Sequence, residues 1–190
     1  MFGSLFGKKK PKRFTAKIAM TRSQLDQLLI DQITKQEVMV VFFFNTSKNK
    51  LLSAMNTDLE TNLIMADQIM SGTAIPKIRT FLSQSGKSLV LGERHPLNSH
   101  ENDIVGKLES AFISLPVTAY CALDDAFMLR FGGERMSELM KSMGIKENEL
   151  IEHAIIEKSI EKAQEKFTNK TLTDSKTNSP EEWLRNNLQT

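Results

Sequence analysis

The chain has 190 residues, of which 40% are hydrophobic and 25% are charged, a composition suited to one domain with a sizeable core. Six of its 25 bases and no acid lie within residues 1–17, so the remaining 19 bases stand against 23 acids. Since an acidic body is a poor nucleic-acid surface, we expect no nucleic-acid partner. The single cysteine, Cys121, excludes an internal disulfide and favours a reducing, intracellular setting.

The first residues combine a short apolar start with a run of bases. This N-terminal arm, residues 1–17, is predicted to be flexible, and its anchors and charges are Phe2, Leu5, Phe6, Lys8, Lys9, Lys10, Lys12 and Arg13. Apolar anchors beside a polybasic run suit an anionic membrane surface, so we expect these residues to contact lipid; a solvated arm is the alternative. The charges follow the apolar part, the reverse of a secretory signal, and no apolar run reaches the roughly 20 residues of a spanning helix. We therefore expect a cytoplasmic protein, at most peripheral to the inner membrane.

Strand and helix patterns alternate through the middle of the chain. Short apolar runs predict strands buried on both faces at 38–44, 88–91 and 117–123. Apolar stripes and capping residues predict helices at 21–33, 48–55, 76–84, 102–112, 124–131, 134–143 and 154–167. Thr21 or Ser23 can cap the first helix, and Asn45-Thr46-Ser47 the second. This order predicts an α/β domain with a mainly parallel sheet and a helical C-terminal extension.

The end of the chain, residues 168–190, reads as a polar linker followed by a short helix. The linker is rich in Asn, Thr, Ser and Lys and is expected to be disordered. Ser179, Pro180 and Glu182 then form a capping-box start. A helix of barely two turns does not persist alone in water, so it docks either on this domain or on another protein. Its apolar side is expected to dock on a protein partner through Trp183, Leu184 and Leu188.

Residues 88–167 carry a series of landmarks in a fixed order. Gly92-Glu-Arg-His95 follows a strand, and Leu123-Asp-Asp-Ala-Phe-Met-Leu-Arg-Phe-Gly-Gly-Glu-Arg135 opens the helical part. The last landmark, 151–167, contains the amphipathic helix predicted at 154–167. In order and spacing this stretch resembles the end of the second motor domain of the SecA preprotein translocase ATPase family, together with the start of its scaffold helix. The strand and Ser-containing loop at 38–47 resemble the opening of the same domain. The resemblance implies that residues 18–167 form a shortened RecA-like domain.

The same resemblance implies that catalytic residues have been lost. The first motor domain with its Walker motifs has no counterpart in this sequence, and the family's nucleotide-contacting segment is not recognisable within 56–86. On the family's arginine-finger helix, the arginine positions correspond to Val105, Lys107 and Ser110. Phosphoryl transfer needs guanidinium or metal to neutralise its developing charge, which valine and serine cannot supply. We expect a pseudo-motor that is not an enzyme, with no catalytic residues, cofactor or metal.

Glu93, Arg94 and His95 form the family-motif loop. They stand just past a strand end, where open α/β sheets bind ligands, and in the family this loop couples nucleotide state to structure. An ion pair and a surface histidine are the plainer interpretation. Asp124-Asp125 is interpreted as a helix cap in preference to a metal pair, because adjacent helical residues do not face the same way. Ser85-Gly-Lys-Ser88 does not fit a phosphate loop, since it precedes a strand instead of following one.

Three functions remain for such a domain. We favour a binding module linked to protein export, whose partner would be the translocase motor or its channel. It would act by occupancy, docking where a motor domain packs or holding a partner on the face that such a domain buries. The rivals are a half-site that completes an ATPase with another chain and a membrane-peripheral structural protein. Met136, Met140 and Met143, at helical spacing, could contribute an adaptable docking face.

Overall fold

The computed structural model describes residues 14–55, 59–114, 116–146 and 149–188. Within these ranges five strands form one sheet in the order β1-β5-β4-β2-β3, and every neighbouring pair is parallel. The strands are β1 (Phe14–Ala19), β2 (Val38–Phe42), β3 (Leu63–Met65), β4 (Ser88–Leu91) and β5 (Val117–Ala122). Helices flank the sheet on both faces, so the predicted α/β RecA-like fold is confirmed.

Two groups of helices cover the two faces. On one face α1 (Arg22–Thr34) and α2 (Asn45–Ala54) pack through Leu25, Leu29 and Leu51. The opposite face carries α3 (Ala66–Met70), α4 (Ile75–Leu82) and α5 (Asn98–Ser110). Four more helices follow β5: α6 (Ala126–Leu129), α7 (Gly133–Ser142), α8 (Ala154–Lys170) and α9 (Pro180–Asn187). Their apolar side chains form a third cluster around Ile18 and Cys121, near the carboxyl ends of β1 and β5.

The first strand was not predicted. Residues 14–17, assigned to the N-terminal arm, instead belong to β1, where Phe14 pairs with Val117 and Lys17 with Tyr120. Ala16 and Ile18 are buried on either side of the half-buried Lys17, and this burial outweighs the basic character of the segment. Residues 1–13, which include every predicted lipid contact, lie outside the described residues, so that prediction stays untested.

The starts of two helices differ in how they are capped. Thr21 caps α1 as predicted, accepting a hydrogen bond from the Gln24 amide at 3.2 Å. By contrast, α2 begins at Asn45, inside the segment expected to cap it, and its N-cap residue Phe44 makes no side-chain capping bond. The first amides of α2 therefore take their partners from elsewhere in the fold.

The segment expected to be a disordered linker makes specific contacts in this structure. We define residues 171–188 as the C-terminal strap, a segment that doubles back so that Thr171 bridges Leu188 and the Leu172 amide donates to the Asn187 carbonyl at 3.0 Å. The amide side chain of fully buried Asn187 holds this loop together. It donates to the Ser175 and Trp183 carbonyls and accepts from Thr173 Oγ1 and the Ser175 amide. The polar composition of the segment favours disorder. The bonds that order it come from Asn187, and no local sequence pattern reveals them.

Candidate functional site at the carboxyl edge of the sheet

The connections after β2 and β4 leave the sheet in opposite directions. After β2 the chain crosses to α2 on one face, and after β4 it crosses to α5 on the other. Since β2 and β4 are neighbours, their carboxyl ends diverge and form a crevice. Ligands of open α/β sheets bind at such switch points. The loops after the two strands, which include Phe43, Phe44 and the family-motif residues Glu93, Arg94 and His95, form this switch-point crevice.

Glu93 spans the crevice. Its Oε1 accepts hydrogen bonds from the amides of Phe43 at 2.8 Å and Phe44 at 2.9 Å, which ties the loop after β4 to the loop after β2. Burial raises the pKa of Glu93 to about 7, although hydrogen bonds from Ser47 and Phe44 and the nearby Arg22 guanidinium act in the other direction. The carboxyl group therefore sits where a bound ligand would otherwise enter.

Arg94 is committed to a buried ion pair. Its Nε and one terminal nitrogen each lie 2.7 Å from a carboxylate oxygen of Glu101, a residue of α5 with 0% exposure. Gln164 of α8 donates to the same carboxylate at 3.0 Å and to the His95 carbonyl at 2.9 Å. The expected ion pair is confirmed for Arg94, and it joins the family-motif loop to α5 and α8.

The interpretation of His95 as a surface residue is wrong, since the side chain is only 4% exposed. Its ring stacks on Phe44, with centroids 5.5 Å apart, and also contacts the rings of His100 and Trp183. Nδ1 accepts a hydrogen bond from the Leu97 amide at 3.0 Å. Burial lowers the pKa of His95 to about 3, and the neighbouring His100 acts in the same direction. His95 is thus a neutral aromatic side chain that lines the bottom of the crevice.

The C-terminal strap covers the bottom of the crevice. Trp183 is 1% exposed, and its Nε1 donates to Asp174, whose other carboxylate oxygen lies 2.6 Å from His100 Nε2. Leu184 is buried beside it, and Leu188 packs partly buried against the same cluster. The prediction that Trp183, Leu184 and Leu188 await a partner is therefore wrong for the conformation seen here, because they dock on their own domain.

The strap also supplies the missing partner of α2. The amide and hydroxyl of Thr46 both donate to the carbonyl of Asn178 at 3.0 Å, and Asn45 contacts the Asn178 side chain. Helix N-termini attract electron-rich groups because their first amides are unsatisfied and the helix dipole is positive there. At the switch point, a backbone carbonyl of the strap occupies this position.

Two clefts remain beside the strap. One, of about 340 Å³, has Phe43, Met70, Ile104 and Trp183 among its walls. The other, of about 170 Å³, lies over Glu93 and is lined by charges of both signs, including Arg22, Lys50, Asp124 and Asp125. Such balanced charge does not favour a polyphosphate.

The paired aspartates serve the backbone. Asp124 accepts from the Arg22 amide at 2.6 Å. Asp125 occupies the N-cap position of α6, as expected, but its carboxylate accepts from the Ala122 amide at 2.8 Å instead of capping the helix. Burial raises the pKa of Asp125 to about 6. Among the described residues no group of His, Cys, Asp and Glu is arranged to hold a metal ion.

The three positions that correspond to family arginines lie on α5. Val105 is buried in the apolar cluster between this helix and the sheet, while Lys107 lies partly exposed. The Ser110 hydroxyl donates to the Lys107 carbonyl at 2.7 Å. Of these three, the side chain of Val105 packs in the core and that of Ser110 bonds within its own helix.

Other predicted features have local roles. Cys121 is buried in β5, where burial raises the pKa of its thiol to about 12. Met140 of α7 faces the core, while Met143, just after the helix, is 61% exposed, so the expected methionine face is only partly available. No helix in the described ranges has both the length and the apolar run that crossing a bilayer requires.

Sequence reasoning missed the residues that hold the crevice together. Glu101, Gln164, Asp174 and Asn187 all contribute side-chain bonds there. Gln164 lies 69 residues from its partner His95, and Asp174 lies 74 residues from His100. No local pattern signals such long-range bonds.

Comparison with known proteins shows sequence similarity that extends over about half of the chain. No protein-family model matches. Proteins named Protein translocase subunit SecA match from Acinetobacter baylyi (36% identical over 87 residues), Christiangramia forsetii (35% over 95) and Acidithiobacillus ferrooxidans (35% over 91). These matches cover 46%, 50% and 48% of this chain but only 10%, 8% and 10% of the relatives. The chain therefore contains a region related to SecA that spans about half of its own length and about a tenth of its relatives' length.

Proposed function

We propose that this protein is a non-catalytic binding module derived from a SecA-like motor domain and that it acts on protein export. The observation that carries the proposal is the filled switch-point crevice. Trp183 lies on His95, and the Asn178 carbonyl lies on the N-terminus of α2, so the chain itself occupies the edge where a related motor would bind its ligand. A domain in this arrangement is suited to binding another protein by its surface.

The residues at the finger positions support the absence of catalysis. A guanidinium at a transferring phosphoryl group contributes orders of magnitude in rate, and it needs a side chain aimed at the site. Val105 is buried in the core instead, and Ser110 bonds within its own helix. Lys107 has one cationic centre and lacks the planar fork of arginine.

The link to export rests on the relatives, which carry the name translocase subunit SecA. In this proposal the domain docks where a motor domain packs in the full-length translocase, or it holds a translocase component on an exposed face. Two exposed apolar side chains, Leu139 on α7 at 54% and Met143 just after it at 61%, supply a surface of the second kind.

Crosslinking in the native cell tests this function. The tagged full chain is crosslinked and purified, and the translocase motor and channel are quantified by mass spectrometry. A matched variant with Leu139→Ser and Met143→Ser keeps the buried core of α7 and serves as the comparison. We expect translocase components to be enriched with the unchanged chain over an unrelated tagged α/β protein, and the α7 variant shows whether that face holds them. Equal recovery with the chain and with the unrelated protein would overturn the export link.

A further inference from the structure

The crevice under the strap is lined by apolar side chains and already holds a short helix, α9. We propose that this groove binds an amphipathic helix of a partner protein and that the C-terminal strap is its built-in competitor. This inference deepens the proposed binding role, because it names the chemistry of the partner and the way access to the groove is controlled.

The strap itself shows what the groove accepts. Helix α9 buries an adjacent aromatic and aliphatic pair, Trp183 and Leu184, in a cluster that contains Phe44, Leu97 and Phe127. Amphipathic helices dock into apolar grooves through a few such anchors, and tryptophan is prominent among residues that dominate binding. A partner helix with an aromatic and an aliphatic anchor side by side would bury the same surface.

A second feature of the groove is polar. Thr46 presents its amide and hydroxyl toward one oxygen acceptor, which is now the Asn178 carbonyl just before α9. The partner segment is therefore expected to place a carbonyl or carboxylate just before its helix, five residues ahead of the aromatic anchor, as Asn178 precedes Trp183. Together these requirements describe a short capped helix.

The strap is built as a separable unit. Asn187 supplies four hydrogen bonds that lie within the strap, so the strap fixes part of its own shape. Two of its links to the body are exposed ion pairs, Lys176 with Asp67 and Asp174 with His100, and exposed pairs contribute little. Docking then depends on the buried side chains of Trp183 and Leu184 and on the hydrogen bonds from Thr46 to the Asn178 carbonyl. A terminal segment held by so few contacts can open locally without global unfolding.

Competition between the strap and a free peptide tests the proposal. In the full chain, the substitution Trp183→Ala weakens docking of the strap. The probe is a fluorescein-labelled peptide with the sequence of residues 171–188, and its binding is measured by fluorescence polarisation. Because the tethered strap competes at high effective concentration, we expect at least tenfold tighter peptide binding to the Trp183→Ala chain than to the unchanged chain. A peptide with Leu184→Asp is the control and should not bind.

Two outcomes would overturn the groove. One is equal peptide affinity for both chains, and the other is no binding to a Trp183→Ala chain whose circular dichroism shows it folded. If that variant does not fold, hydrogen exchange of the unchanged chain decides. We expect the amides of α9 to exchange faster than those of β5, whereas exchange of both only on global unfolding would show that the strap does not open. None of these readouts involves the translocase, so the export link and the groove fail or stand separately.

Discussion

The indole ring of Trp183 meets the imidazole of His95 edge to face, with ring centroids 5.4 Å apart and planes inclined by 73°. This contact joins the last helix of the chain to the loop after β4. It explains why a histidine just past a strand end is buried and neutral, and why the sole tryptophan is not free for a partner in this conformation.

Tryptophan fluorescence tests the docked strap. We expect blue-shifted emission and protection from iodide quenching, because Trp183 is 1% exposed. Replacing Asp174 by Asn should increase quenching, since that carboxylate accepts from the indole Nε1 and also pairs with His100. Asp67→Asn, which removes only the exposed pair with Lys176, is the control and should leave quenching unchanged. A fully quenched emission in the unchanged chain would mean that the strap is undocked.

Glu93 should make stability fall as pH rises. Burial raises its pKa in the folded chain to about 7 from the ordinary 4.5, so the folded state holds the proton more tightly than the unfolded state. The stability contribution is complete below about pH 4.5 and is lost as pH rises through about 7. Denaturant unfolding between pH 4.5 and 8 should therefore show the unchanged chain losing up to about 3 kcal/mol relative to Glu93→Gln.

The control for this comparison is Glu138→Gln, an exposed position on α7. His95 contributes a slope of the opposite sign in both chains, because its depressed pKa makes stability fall as pH drops below about 6.5. The difference between unchanged chain and variant cancels that slope. A flat difference across the range would contradict the buried, protonated state of Glu93.

Glu101 should be among the most sensitive positions for stability. Glu101→Gln leaves the Arg94 guanidinium, 7% exposed, without its counter-charge, and breaking such buried pairs typically costs about 3–5 kcal/mol. The double variant Arg94→Met with Glu101→Gln removes both charges, keeps an oxygen acceptor for the His95 amide and Gln164, and should be less destabilised than the single one. Urea denaturation measures both, and equal or greater loss in the double variant would show that the pair is not the cause.

The fold can be predicted from the sequence because three buried strands are recognisable as apolar runs. Strands that are very short or that contain charged residues are not recognisable in this way. The runs that became β2, β4 and β5 are apolar enough to read directly, whereas β3 has three residues and β1 begins beside a basic run. The direction of each crossover then fixes the switch point between β2 and β4, since parallel connections are right-handed.

The contents of the crevice could not be predicted in the same way. Glu93, Arg94 and His95 are visible as a motif, but Arg94 is paired with Glu101, and the ring of His95 is covered by Trp183 from a strap much later in the chain. That strap has the composition of a disordered linker, and its order comes from Asn187 and from docking of Trp183. Long-range side-chain contacts of this kind have no signature in local periodicity or composition.

The basic arm should confer salt-sensitive attachment to anionic vesicles. Each base near such a surface contributes on the order of 1 kcal/mol, screened within a Debye length. Exchanging Lys8, Lys9 and Lys10 for Gln should lower the fraction of protein that co-sediments with anionic vesicles at low salt. The same exchange on the exposed surface of α8, at Lys158, Lys162 and Lys166, is the matched control. Equal loss in both variants would make the arm no more than a solvated tail.

Phosphate release from ATP by the purified full chain tests the pseudo-motor account most directly. We expect no turnover above the buffer background, because the finger positions are Val105, Lys107 and Ser110 and the crevice is filled by the strap. Lys107→Ala and Glu93→Gln chains, purified identically, separate a contaminant from a real site, since contaminating activity does not follow these substitutions. Equal background release from all three chains is the predicted result. Turnover by the unchanged chain that either substitution abolishes would contradict the account.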